Sequence, residues 1–248
     1  LIAQHVLGNL QTIFWRFLSD RDRQSISQDL EHLLWRGVRQ SLSKSLRSAY
    51  FRAYRSMALT PEGITQLKSV WDKKTTIPGI TFEEVDFMAM AYEIAVRDFP
   101  DSRQVLETQL DRIQNLERKA QFKFVLPALS SQVEKRDDFF RSLGHPENRR
   151  REQWVLLALN YLHHPLHAGQ SIKYVQPSLE MLEEIRDTGD IFFPKAWLDA
   201  TFRGHRSHQA ANTVRRFVQE RPNYPSRLRE KILQSADLLF RASSIVHP

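Results

Sequence analysis

Proline placement constrains this chain more than any other feature. None of the first 60 residues is proline. Eleven then fall through the remainder: Pro61, Pro78, Pro100, Pro127, Pro146, Pro165, Pro177, Pro194, Pro222, Pro225 and the terminal Pro248. A helix accepts proline in its first turn and rejects it inside, because the ring removes a backbone donor and clashes with the preceding turn. The spacing predicts long helices before residue 60 and a series of short ones after it. Glycine is scarce, at eight residues in 248, and no Asn-Gly or Asp-Gly pair links alternating apolar runs, which argues against hairpin sheets.

Apolar periodicity agrees. Leu7, Leu10, Phe14 and Phe17 mark one face of a first helix, with Trp15 more lateral, and "SDRDRQS" at 19–25 breaks it. Ile26, Leu30, Leu34, Val38, Leu42 and Leu46 recur every fourth residue, with Leu33 and Ala49 broadening the stripe, so a second long helix is expected to run toward Ala58. Short helices are expected near 61–73, 82–98, 102–114, 116–126, 132–142, 147–163, 177–188, 194–202, 208–220 and 226–243. Their expected start signals are Thr60 before Pro61 and the capping boxes Thr81/Glu84, Ser131/Glu134 and Asp101/Gln104. Gly144 and Gly189 suit helix C-terminal turns. Helices of three to four turns joined by short links make antiparallel neighbours. Ten of them exceed a simple bundle, which predicts an all-α, irregular alpha-solenoid of HEAT/ARM-like stacked pairs. The expected organisation is 1–59 as long N-terminal helices and 60–248 as the short-helix stack. Leu228, Ile232, Ala236, Leu239 and Phe240 give the last helix an apolar face that can seal its end.

The sequence holds no cysteine, which excludes disulfides, thiolate zinc ligands and a thiol nucleophile. No apolar run approaches the length of a membrane span. The opening residues "LIAQHVLGNL" lack an initiator Met and follow a helical pattern from Leu1, so the chain reads as a piece of a longer polypeptide.

Histidines supply the candidate chemistry. "YLHHPLH" at 161–167 places His163 and His167 four apart, the spacing of a zincin helix. His164 stands near where a general-base glutamate is needed, and Pro165 disfavours a continuous helix through the pair. His163 or His167 could still combine with Glu152 or Asp187 in a different zinc site. Against this, Tyr161 and Leu162 fit a core while the histidines cap a helix end. His205 and His208 flank a helix start expected at Ser207. "GDIFFPKAWL" is expected to end a helix at Gly189, fill a gap with Ile191–Phe193, and start the next at Pro194. Trp197 and Leu198 would then point back at the preceding layer. The doublets at Glu83–Glu84 and Glu183–Glu184 point about 100° apart on a helix and are expected to be solvated.

The net charge is +7. Arg149, Arg150, Arg151, Arg215, Arg216, Arg227 and Arg229 cluster in short stretches. Interspersed glutamates and the absence of a recognition-helix signature weigh against nucleic acid. Most of these arginines are expected to be solvated, and a minority could offer a peptide carboxylate a bidentate partner.

The stretches "GDIFFPKAWL", "YLHHPL", "AVRDFP" and "EKILQSADLLFRA" together resemble the C-terminal helical region of bacterial M1 (gluzincin) zinc aminopeptidases, over essentially the whole chain. The resemblance implies a non-catalytic accessory domain that encloses the active-site chamber and limits peptide access. It places zinc, the His-Glu-x-x-His motif, the Gly-x-Met-Glu-Asn motif and a transition-state tyrosine in a catalytic domain of the same polypeptide. None of those motifs occurs in this chain, so no catalytic residue, cofactor or metal ligand is assigned to it. The implied partners are that catalytic domain and peptide substrates. The competing expectation is a free-standing helical-repeat scaffold for protein or nucleic acid.

Overall fold

The computed structural model describes residues 2–246, so the helical pattern expected to begin at Leu1 starts outside the described residues. Among them the fold is all-α, with no strand. In chain order the α-helices are α1 (Ile2–Thr12), α2 (Asp20–Gln40), α3 (Lys44–Met57), α4 (Pro61–Trp71), α5 (Glu84–Ala95), α6 (Ser102–Arg112), α7 (Leu116–Val125), α8 (Val133–Ser142), α9 (Glu152–Leu162), α10 (Ala168–Ser171), α11 (Val175–Glu180), α12 (Leu182–Thr188), α13 (Phe193–Phe202), α14 (His208–Gln219) and α15 (Ser226–Val246). The chain forms two compact units, residues 1–122 and residues 123–248.

In the first unit α3 packs on α1, α2 and α5, and α5 packs on α4 and α6. The single helix expected from the Ile26 stripe to Ala58 is two helices. They part at Ser41–Ser43, where Leu42 is fully exposed and the Ser43 hydroxyl accepts from Leu46 N at 3.2 Å to start α3. A π-helical turn, Ile13–Phe17, closes the first helix and buries the adjacent Phe14 and Trp15 together. Consecutive burial is possible because the wider turn rotates the register. Thr60 caps α4 as expected, accepting from Gly63 N at 2.9 Å. The capping box before α5 lies two residues later than "TFEE": it pairs Glu83 with Asp86. The two other expected boxes do not form. Gln132 precedes α8 without a side-chain cap, and Asp101 turns its carboxylate to Lys68 at 2.6 Å.

In the second unit α13 is central, packing on α9, α11, α12 and α15, while α14 packs on α11 and α15. Pro194 sits in the first turn of α13. Trp197 is fully buried and donates from Nε1 to the Ser178 carbonyl of α11 at 3.1 Å, the interlock expected of "GDIFFPKAWL". Only part of that stretch fills a gap. Phe193 is buried, whereas Ile191 and Phe192 stand 75% and 72% exposed in the turn before α13. Leu228, Ile232, Ala236 and Leu239 form the buried face of α15.

Candidate functional site

Two clusters of buried polar side chains carry the candidate chemistry, one in each unit. The first is the corner between α3 and α4. A helix leaves its first N–H groups and last carbonyls without internal partners, and its ends carry partial positive and negative charge. Glu31, on α2 and 4% exposed, answers the positive end of α4. Its carboxylate accepts from Leu59 N at 2.6 Å, from Thr60 N at 2.8 Å and from the Thr60 hydroxyl. Arg97, its side chain 1% exposed, answers the negative end of α3. Its guanidinium donates to the Ser56 carbonyl at 2.7 Å and to the Ala58 carbonyl, and pairs with Glu93 at 2.7 Å. Gly63 leaves the carboxylate its place, since a Cβ on it would lie 2.2 Å from Glu31 Oε2 and push that side chain aside. Tyr54 donates from its hydroxyl to the Gly63 carbonyl at 3.0 Å. Burial first, and the Glu31 carboxylate second, hold its phenol above the ordinary tyrosine range, so it remains a donor.

Above this corner lies an open groove of about 700 Å³, lined by α2 and the start of α4. Glu31, Tyr54, Thr60 and Gly63 form its floor; Gln28, His32, Trp35, Arg36, Arg39 and Gln40 on α2, with Glu62 and Gln66 on α4, form its walls. The periodicity of the sequence gives no sign of this groove. Its floor residue Glu31 falls in line with Leu34 and Val38 on the buried face of α2, a position where a carboxylate signals neither a core nor a surface.

The second place joins the two histidine stretches. His163, the C-cap of α9, and His205, just beyond α13, are both buried, with Nδ1 of the first 2.9 Å from Nε2 of the second. The Tyr174 ring meets His163 edge-on at 6.1 Å. Gly204 permits the approach, because a Cβ on it would sit 1.7 Å from the His163 carbonyl oxygen. Burial drives both imidazoles toward the neutral form. His205 falls to about 4, and His163, further opposed by His205, lies well below its ordinary value. Pro165 opens a 3₁₀ turn ending at His167, so His163 and His167 do not share a helix face. His164 accepts from Leu166 N at 3.3 Å, and His208 lies exposed at the start of α14, which Ser207 caps as expected. Glu152 accepts from Asp190 N at 2.7 Å, and Asp187 pairs with its neighbour Arg186 at 2.7 Å. Among the described residues no group of three or more His, Asp or Glu side chains is arranged to hold a metal ion. The histidines that the sequence offers separately are brought together as a hydrogen-bonded pair.

The arginines divide sharply. Arg149 is buried, bonding the Leu143 carbonyl and the Glu184 carboxylate. Arg150, Arg216 and Arg227 are exposed and Arg229 is half-buried. Arg151 lies 5.2 Å from the Trp154 ring centre, and Arg215 lies 4.7 Å from that of Phe240. No helix among the described residues is long and apolar enough to cross a membrane. No family model matches the chain, and no curated protein matches it significantly.

Proposed function

We propose that this chain is a non-catalytic accessory domain of a bacterial M1-type zinc aminopeptidase. In this reading the helices stack as an irregular HEAT/ARM-like solenoid that encloses the active-site chamber and limits peptide access. A catalytic domain of the same polypeptide holds the zinc and removes N-terminal residues from peptides. One observation carries the reading. Three of the four stretches behind the resemblance fall on α9, α13 and α15, and α13 packs on both of the others. The residues concerned, such as Tyr161, Leu162, Trp197, Leu198, Ile232 and Leu239, are buried side chains of helix interfaces. A likeness carried by interfaces is that of a shared framework, whereas shared chemistry resides in the residues of a site.

The intact polypeptide provides the test. It should contain a His-Glu-x-x-His motif outside this region, bind about one zinc per chain and hydrolyse an aminoacyl reporter. Chelation should abolish turnover and zinc should restore it. An intact sequence without that motif, or turnover indifferent to chelation, overturns the reading.

A further inference from the structure

The groove over the α3–α4 corner holds a concentration of polar groups with no internal use. Among the described residues, neither Arg36 nor Arg39 has an ionic or hydrogen-bonded partner, and the carboxamides of Gln28, Gln40 and Gln66 are likewise unengaged. The floor differs: Glu31 is saturated by three donors and Tyr54 is committed to the Gly63 carbonyl. Trp35 is half-buried against Tyr54, ring centres 5.0 Å apart, and gives the inner wall an apolar plane. From Gln28 to Gln40 the α2 wall runs about 18 Å, the reach of roughly five extended residues.

We propose that this groove binds an extended, acidic peptide segment. The two arginines, the free carboxamides and Trp35 each select for one property of that ligand, against the single wall carboxylate of Glu62. Free carboxamides carry both a donor and an acceptor, the complement of a peptide group, whereas a phosphate backbone offers acceptors alone. Arg36 and Arg39 stand one helical turn apart, about 5–6 Å between Cβ atoms. Alternate side chains of an extended peptide lie on one side about 7 Å apart, so two carboxylates at that spacing reach both guanidinium groups. The intervening side chains face the inner wall, where Trp35 favours apolar residues. The proposal concerns the first unit alone and stands whether or not the chain serves an aminopeptidase.

The probe is a fluorescein-labelled, C-amidated pentapeptide, Glu-Leu-Glu-Leu-Glu, titrated by anisotropy against the full chain. Its affinity should exceed that of the Lys-Leu-Lys-Leu-Lys counterpart by about tenfold or more, and should fall as salt rises. Arg36→Gln combined with Arg39→Gln should weaken it by roughly tenfold, with the urea midpoint unchanged because both residues are exposed. Arg150→Gln with Arg216→Gln should leave it unchanged. Equal affinity for the two peptides overturns the proposal even if the groove variant fails to fold. So does a folded groove variant that binds normally, or an oligothymidylate that binds more tightly than the acidic peptide.

Discussion

Helices α2 and α15 are both 21 residues long, and they organise their units by opposite means. α15 buries Leu228, Ile232, Ala236 and Leu239, an apolar stripe that holds by excluding water. α2 buries Arg23, Ser27 and Glu31 before it reaches Leu34 and Val38. Arg23 donates to the Trp15 carbonyl at 3.2 Å and lies over the Trp15 ring, while Glu31 caps α4. One helix packs mainly through apolar surface; the other sets two charged connectors, Arg23 and Glu31, against the ends of its neighbours, while Ser27 bonds back to the Arg23 carbonyl within α2. Connectors must match their partners atom by atom, whereas an apolar stripe tolerates exchanges of similar volume.

The largest expected effect lies at a contact where neither strategy leaves room to adjust. Gly204→Ala drives a Cβ into the His163 carbonyl, a backbone atom that no side-chain rotation can move. The cost should be about 4 kcal/mol or more, enough to unfold the second unit. A urea midpoint within error of the parent would refute that close approach.

The α2–α15 contrast is tested next by a substitution that ought to help an apolar core. Glu31→Leu adds hydrophobic surface but strips the acceptor from Leu59 N and Thr60 N, and should destabilise by about 3 kcal/mol. Ile232→Val on α15 should cost only about 1 kcal/mol. Should Glu31→Leu stabilise the protein in urea, α2 would be another apolar packer and the contrast would vanish.

Acid should act through the histidine pair in the second unit. Burial keeps both imidazoles neutral in the folded chain, His205 down to about 4, while unfolding returns each to near 6.5. Below that pH the unfolded chain binds protons the folded chain refuses, so stability falls as pH drops from about 6.5 toward 4. His205 alone should remove about 2 kcal/mol by pH 5. Denaturant midpoints at pH 7 and 5 check this, and His205→Gln should flatten the dependence. A smaller contrast separates sequence neighbours: Arg149→Ala should cost about 2 kcal/mol, and Arg150→Ala less than about 0.5 kcal/mol.

The same contrast explains what was legible in the sequence. Prolines and apolar spacing predict an all-helical chain, and α15 reads directly from its buried stripe, but the expected division into long helices before residue 60 and short ones after it fails, since α1 has 11 residues and α15 has 21. The Ile26–Leu46 stripe is misleading because Ile26, Leu33 and Leu42 are exposed while Arg23, Ser27 and Glu31 lie buried. A hydrophobicity pattern cannot mark a face whose buried members are charged. The groove was invisible for that reason, since its floor depends on Glu31. The histidine pair was half visible: each stretch stands out, but 42 residues separate His163 from His205, and only packing unites them. Arg149 and Arg150 look alike in sequence because nothing local reveals that Glu184 waits for one of them.

The proposed reading makes this chain framework and not chemistry, with His163 and His205 hydrogen-bonded to each other in place of a metal. The most direct test is the zinc content of the purified chain after equilibration with zinc and desalting. The account predicts well under about 0.1 zinc per chain, because a hydrogen-bonded imidazole pair offers no complete ligand set. About one zinc per chain, lost on His163→Gln or His205→Gln in protein that still folds, would contradict it.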